Sequence, residues 1–317
     1  LKRLLITRPL PDAVVAAARE AFHVTVRLNN LPMQSDELRD ALRNFDLVLP
    51  TLGDVFDAGV FADVDTPRCK LLANFGVGYN HIDVAAAKAA GIAVSNTPGA
   101  VTDATADVAL TLILMSARRA AEGERLVRSG GWKGWHPTQM LGLHVTGKTV
   151  GIVGMGRIGQ AIAARCHFGF NMPVKYWNRS AKDLPFEATR VERLTDLAGQ
   201  VDVLVAAVPG GAQTHHLFDA DIFEAMQSHA HFINISRGEV VDEAALVEAL
   251  QTGKIAGAGL DVYEFEPRVP EALRKLNTVT LLPHLGTAAL EVRSQMGMMA
   301  VDNLLAFERG ETPPNQV

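Results

Sequence analysis

Only two cysteines occur in the 317-residue sequence. Cys69 and Cys166 lie far apart in apolar contexts without CxxC spacing, which excludes a disulfide scaffold and suits reduced, buried thiols in a cytoplasmic protein. Long hydrophobic runs are missing as well. No window reaches the roughly eighteen uninterrupted apolar residues of a membrane span, and Arg8, Asp12, Arg19 and Glu20 interrupt the N-terminus, so no secretory leader is expected. Nor does one sign of charge dominate. With a formal net charge of −5 and scattered basic residues, the chain carries no electrostatic footprint for nucleic acid or an anionic membrane. Tandem repeats and low-complexity segments are also absent. What remains is a chain with 48% hydrophobic residues, enough for about two packed domains.

The order of apolar runs organises it. Leu4–Ile6, Val24–Val26, Leu47–Leu49, Leu71–Asn74 and Ile92–Val94 read as strands separated by helix-like stretches such as Asp12–Ala21 and Asp83–Ala90. Asn96-Thr97-Pro98-Gly99 is turn chemistry. One long, alanine-rich helix is expected over 102–128, capped by Thr102 or Asp103, with a Gly/Trp-rich loop over 130–137 after it. Strands then recur near Val150–Val153, Val174–Trp177, Val203–Ala206, Phe232–Ile235, Gly257–Leu260 and Val279–Leu282, which predicts a six-stranded doubly wound sheet. A final helix over 288–307 precedes a Pro-rich tail.

Residues 148–180 are the most specific stretch. An apolar run ends in Gly154-Met155-Gly156-Arg157-Ile158-Gly159, helix formers follow, and a second apolar run leads into Asn178-Arg179-Ser180. Strand, glycine turn, helix and strand in this order form a dinucleotide-binding unit. Gly154 permits the tight turn, Gly156 lets a pyrophosphate approach the backbone, and Gly159 lets helix and strand pack closely. At the second strand end an NAD site normally offers a carboxylate to the ribose 2′-hydroxyl; here Asn178, Arg179 and Ser180 can instead donate to a 2′-phosphate. NADPH is therefore expected in preference to NADH, with NAD(H) possible.

Five separated motifs in one order carry a family resemblance: Asn74-Phe75-Gly76-Val77-Gly78-Tyr79-Asn80-His81-Ile82-Asp83, the glycine turn, Asn234-Ile235-Ser236-Arg237-Gly238, then Gly259 to Pro267, and Pro283-His284-Leu285-Gly286. Over essentially its whole length the chain resembles the D-isomer-specific 2-hydroxyacid dehydrogenases, and within them the NADPH-preferring glyoxylate/hydroxypyruvate reductases. The resemblance implies an α/β fold of two domains: a Rossmann doubly wound parallel sheet at 100–287, inserted into a smaller flavodoxin-like substrate domain formed by 1–99 and 288–317. It implies a homodimer as well, with the helix from Thr102 a candidate interface.

Reducing a 2-keto acid needs a carboxylate anchor, a cation on the keto oxygen, a proton donor and a hydride in line. By resemblance Arg237 is the cation, His284 the proton donor, and Glu266 the acid that pairs with His284, holds its tautomer and favours the imidazolium. Val77 and Gly78 would donate backbone N–H groups to the substrate carboxylate, and Leu52-Gly53 would line the same pocket. Trp135 resembles an aromatic inserted into the neighbouring subunit's site. Thr105, Arg157, Ile158, Val208, Pro209, Thr214, Ile235, Asp261 and Gly286 match positions around the cofactor, Asp261 near the nicotinamide carboxamide. Gly210-Gly211 stands where relatives often carry bulkier residues. His215-His216 and His229-x-His231 have no cysteine or carboxylate pattern near them in sequence, so they are expected to be surface residues and no metal site is expected. Two alternatives stay open: an NAD-linked D-lactate or phosphoglycerate type dehydrogenase, and a dinucleotide-sensing corepressor-like binding protein.

Overall fold

The computed structural model describes all residues, 1–317. It divides into two compact units, one of Leu1–Val101 with Ala288–Val317 and the other of Thr102–Thr287.

In the first unit, β1 (Arg3–Ile6), β2 (His23–Val26), β3 (Leu47–Leu49), β4 (Leu71–Ala73) and β5 (Ala93–Ser95) form a sheet in the order β2-β1-β3-β4-β5. Every ladder is parallel. Parallel strands need crossovers, and α1 (Asp12–Ala21), α2 (Ser35–Asn44), α3 (Ala58–Ala62) and α4 (Val84–Ala89) supply them. Alternate strand residues serve opposite faces. Leu4, Ile6, Leu47, Leu49 and Leu71 pack on Val14 and Ala18 of α1, whereas Leu5, Val48 and Leu72 pack on Leu38 and Leu42 of α2. The helix Leu290–Glu308 closes the first of these faces with Ala300, Val301 and Leu304. It approaches α1 so closely that a Cβ at Gly297 would run into the side chain of Val14.

The second unit opens with two helices where one was expected. The stretch over 102–128 breaks into α5 (Thr102–Ala117) and α6 (Ala120–Arg128), with Arg119 left-handed at φ +54°. The cause is a returning loop: Leu143 N–H donates to the Ala117 carbonyl at 2.8 Å, and Gly142 lies where any side chain would meet that oxygen. Asp103 does not serve as a cap, because its carboxylate binds Arg165 at 3.0 Å.

Strands β6 (Val150–Val153), β7 (Val174–Trp177), β8 (Ala188–Arg190), β9 (Val203–Ala206), β10 (His231–Asn234), β11 (Gly257–Leu260) and β12 (Val279–Leu281) form one parallel sheet. Its order is β12-β11-β10-β9-β6-β7-β8, which makes seven strands rather than the six expected. The extra strand, β8, is a short edge strand with no fully buried residue, so it lacks the apolar run that marks the others. The central strands β6, β9, β10 and β11 are wholly buried. On one face lie α5 and α7 (Arg157–Phe170), with Leu112, Ile113, Ile162 and Cys166 against Val150, Ile152, Val203 and Val205. The other face is covered by α8 (Leu194–Ala198), α9 (Ala220–Ala225), α10 (Glu243–Gln251) and α11 (Glu271–Lys275). Both cysteines are free and buried, and burial pushes each thiol up to about 12. No helix is long and apolar enough to cross a membrane.

His231 departs from the surface position expected for it. It belongs to β10, is 6% exposed, and its Nδ1 shares a 2.8 Å hydrogen bond with Ser116 Oγ of α5. Burial, with the nearby charge of His229, lowers its pKa to about 4. A histidine that protonates more readily when unfolded contributes stability above its unfolded pKa, and that stability is lost as pH falls towards the folded value. Between pH 7 and 4.5 this group should cost wild type about 2 kcal/mol. Urea denaturation of wild type and His231→Gln at both pH values checks this: the variant should lose less stability on acidification by that amount.

Candidate active site

Strand β6 ends at Val153, and the chain turns through Gly154 at φ +97° with its N–H donating to Trp177 carbonyl at 2.9 Å. A Cβ at Gly154 would stand 2.5 Å from the Ala207 carbonyl oxygen, so the turn lies against the end of β9. At Gly159 a Cβ would collide with the Gly154 carbonyl oxygen, which is how α7 closes on its strand. At Gly156 the situation is reversed. Its Cβ position has nothing within 4 Å, and the first turn of α7 carries neither an acidic residue nor a side-chain cap. By contrast, Asp57, Asp83, Asp219 and Asp242 cap α3, α4, α9 and α10. Uncapped N–H groups beneath open space fit a diphosphate, and β6 and β9 are where the strand order of this sheet reverses. Of the flanking residues, Arg157 is exposed and Ile158 partly so.

At the end of β7, Asn178 is half-buried. Its Oδ1 accepts from Met155 N–H at 3.1 Å and its Nδ2 donates to the Ser180 carbonyl at 2.9 Å, so it shapes the glycine turn. One of its two amide N–H groups is thereby engaged within the turn. Arg179 and Ser180 are exposed beside it, with Arg179 Nη1 3.4 Å from Gln213 Oε1. Beyond β9, Thr214 Oγ1 donates to the Pro209 carbonyl at 2.6 Å and closes the loop that begins at Val208.

One strand further along, after β10, stands Arg237. Asn234, 1% exposed, accepts from Ser236 N–H and donates to the Arg237 carbonyl, both at 2.9 Å. Arg237 Nη1 donates to the Ser236 carbonyl at 2.8 Å. Burial draws its guanidinium down against the opposing fields of Glu266 and Glu239, while leaving it a cation at any working pH. The next residue, Gly238, abuts the Tyr263–Glu264 backbone so closely that no Cβ fits, which ties the arginine turn to the loop after β11.

That loop carries Glu266. Its Oε1 accepts from Tyr263 N–H at 3.1 Å, and its Oε2 accepts from His284 Nδ1 at 3.0 Å. Burial pushes its carboxyl up, but the hydrogen bond and charge of His284, the Tyr263 N–H and the charge of Arg237 outweigh this and hold it below the ordinary range. An ionised carboxylate can only accept, so the ring proton sits on Nδ1 and Nε2 is the nitrogen left to work. His284 itself is held at φ +55°, a conformation unusual for a residue with a side chain. What fixes it is Asp261, 1% exposed, whose oxygens accept from Leu285 N–H at 2.6 Å and Gly286 N–H at 2.8 Å. Thr105 Oγ1 donates to the Gly286 carbonyl at 3.3 Å, and Ile235 is buried beneath. Both Asp261 oxygens are thus engaged with the histidine loop.

In the first unit, Leu52-Gly53 follows β3 at the strand-order reversal between β1 and β3. Beneath it the fully buried Asp54 accepts from Thr7 Oγ1 at 2.6 Å and Thr51 N–H at 3.0 Å. After β4, Asn74 Nδ2 donates to the Gly76 and Gly78 carbonyls and Asn96 Nδ2 to that of Val77. With its carbonyls held from behind, this loop presents the N–H groups of Val77 and Gly78 on its other side. Trp135 is 79% exposed.

The other histidines divide. His215 and His229 are exposed as expected, while His216 is partly buried and its Nε2 lies 2.6 Å from Glu264 Oε1. A carboxylate absent from the local sequence is thus supplied by the fold, and His215, His216 and Glu264 place ligand atoms within 4.8 Å of one another. Sequence reasoning missed Asn234, Tyr263 and Glu239, which build the site without an independent chemical signature. Tyr263 links Leu282 and Glu266 through its hydroxyl (2.8 Å) and its N–H.

Known proteins place this arrangement in a class: the protein is an NAD(P)-dependent oxidoreductase of 2-hydroxy acids. A family model described as D-isomer specific 2-hydroxyacid dehydrogenase, NAD binding domain, matches residues 110–286. A glyoxylate reductase of Pyrococcus horikoshii is 42% identical over 99% of this chain and 95% of its own length. The NADPH-dependent glyoxylate/hydroxypyruvate reductase of Sinorhizobium meliloti, solved with NADP and malonate, superposes with a TM-score of 0.88 at 35% identity, covering 100% of this chain and 96% of that one. The D-mandelate dehydrogenase of Rhodotorula graminis gives 0.86 at 29% identity, covering 100% and 97%. The chain belongs to the D-isomer-specific 2-hydroxyacid dehydrogenase family.

Gly156→Ala tests the phosphate cradle. The site is open and its φ of −79° suits alanine, so stability should stay within about 0.5 kcal/mol of wild type. Dinucleotide affinity, measured by quenching of tryptophan fluorescence, should fall at least about tenfold, because the methyl group occupies the phosphate approach.

Proposed function

We propose that the protein catalyses NADPH-dependent reduction of small 2-keto acids, glyoxylate to glycolate and hydroxypyruvate to D-glycerate, with His284 as proton donor. The observation that carries this reading is the 3.0 Å contact between His284 Nδ1 and Glu266, on a carboxylate that also feels the charge of Arg237. A cation, an imidazole with one nitrogen free, and an acid that holds its tautomer are what carbonyl reduction requires. The bound dinucleotide supplies the hydride to the carbonyl carbon. Arg237 draws the keto oxygen and the substrate carboxylate to its guanidinium. As the carbonyl electron pair settles on that oxygen, His284 transfers the Nε2 proton to it, and Glu266 retains the Nδ1 hydrogen bond to the now neutral ring. Solvent then reprotonates Nε2.

In this reading the second unit is the dinucleotide-binding domain and the first the substrate-binding domain, where Leu52, Gly53, Val77 and Gly78 keep the roles the resemblance implies. Asp261 holds the histidine loop at the nicotinamide end, and Val208, Pro209, Thr214 and Ile235 flank the cofactor. Preference for NADPH rests on Arg179 and Ser180, exposed at the end of β7 with no carboxylate between 178 and 182. A homodimer is supported by α6, none of whose residues is buried within the chain. Val127, Trp132, Trp135 and Leu141 of the same stretch are at least half exposed, which suits a subunit interface. The cytoplasm suits two free, buried thiols.

Initial rates with glyoxylate and hydroxypyruvate test this, using NADPH and NADH separately. We expect kcat/KM at least about tenfold higher with NADPH, a preference that Arg179→Ala should reduce. A preference for NADH would overturn the cofactor assignment. Dinucleotide binding without turnover of any 2-keto acid would overturn the reaction.

Glu266→Gln addresses the proton donor. Glu266 accepts from His284 Nδ1 and its carboxyl is held below the ordinary range, so removing its negative charge should move the alkaline limb of the reduction profile to lower pH. An unshifted limb in kcat/KM against pH would count against the dyad.

A further inference from the structure

Glu239, two residues beyond Arg237, is assigned no role in the reaction described above. Its Oε1 accepts the Gly211 N–H at 2.7 Å, and its own carbonyl accepts the His216 N–H at 2.9 Å. The loop 209–216 is therefore fastened along the arginine turn. The fastening is tight at Gly210, where a Cβ would stand 2.5 Å from Glu239 Oε1 and 2.8 Å from Arg237 Cγ. Both side chains meet at that one point, so a side chain at 210 would push one of them aside. The same loop starts beside the phosphate cradle, since a Cβ at Gly154 would lie 2.9 Å from Val208 Cγ1.

We propose that Glu239 is a positioning residue with two separable effects: its carboxylate clamps the 209–216 loop in place for the dinucleotide, and its negative charge restrains the anion affinity of Arg237. The second effect is electrostatic. Glu239 Oε1 and Arg237 Cγ both lie within 3 Å of the one Gly210 position, and the fields of Glu239 and Glu266 bear on the guanidinium, so an incoming 2-keto carboxylate competes with Glu239 for the same charge. Restraint of this kind favours release of the anionic 2-hydroxy product.

The inference rests on the reductase reading, and two variants separate its parts. Glu239→Gln keeps an oxygen that can accept the Gly211 N–H and removes the charge; Glu239→Ala removes both. Binding of NADPH by tryptophan fluorescence and of oxalate, a dead-end dicarboxylate, to the NADPH complex gives readouts independent of turnover. For Glu239→Gln, NADPH affinity should match wild type and oxalate should bind about fivefold tighter, an advantage that shrinks as salt is raised. For Glu239→Ala, NADPH affinity should fall about fivefold or more as the loop is released. Oxalate binding by Glu239→Gln that is no tighter than wild type overturns the electrostatic role. NADPH binding by Glu239→Ala that equals wild type overturns the clamp. Wild-type protein that binds neither ligand overturns the reductase reading itself.

Discussion

One buried carboxylate holds the working end of this molecule together. Asp261 follows β11, almost wholly out of solvent, and takes the N–H groups of Leu285 and Gly286 on its two oxygens. Burial pushes its carboxyl up, and the two backbone hydrogen bonds, with the charge of His284, oppose that. Its backbone contributes as well, for the Asp261 carbonyl accepts His284 N–H at 3.0 Å. Three hydrogen bonds from one residue thus set the path of the loop and hold His284 at a positive φ that an unsupported chain would avoid. With the ring so placed, its Nδ1 meets Glu266.

The parallel sheet explains why these groups meet at all. Seven strands run the same way, so every turn after a strand comes out on one edge: the glycine turn after β6, the Pro209 loop after β9, Arg237 after β10, Glu266 after β11 and His284 after β12. Neighbouring strand ends lie about 5 Å apart. Residues distant in sequence then become hydrogen-bonding partners through short loops, and the loops brace one another. Gly238 rests on the Tyr263–Glu264 backbone and Gly210 on Arg237 and Glu239.

Much of the fold was legible in the sequence. Fully buried parallel strands are continuous apolar runs, and so the central strands of both sheets and the glycine turn between β6 and α7 could be read locally. The roles of three glycines followed from backbone chemistry: Gly154 and Gly159 leave no room for a Cβ, while Gly156 faces open space. Strand β8 escaped because an edge strand needs no apolar run, and the break at Arg119 because its cause, the return of Leu143 onto Ala117, lies outside the helix. His231 looked like one of a polar surface pair until Ser116 of α5 came to cover it.

The sequence by itself determined which chemical groups were available and where each strand would end, because strand, turn and helix signals act over a few residues. Only the tertiary structure decided which of those groups meet. The pairing of His284 with Glu266, the helix Leu290–Glu308 closing on α1, and the carboxylate of Glu264 beside His216 all join residues that no local pattern links. Asn178 shows the same division at a smaller scale. Its amide was legible as a donor, and the fold adds that its Oδ1 takes the Met155 N–H and one of its N–H groups the Ser180 carbonyl, since a polar group follows the nearest partner the packed backbone offers.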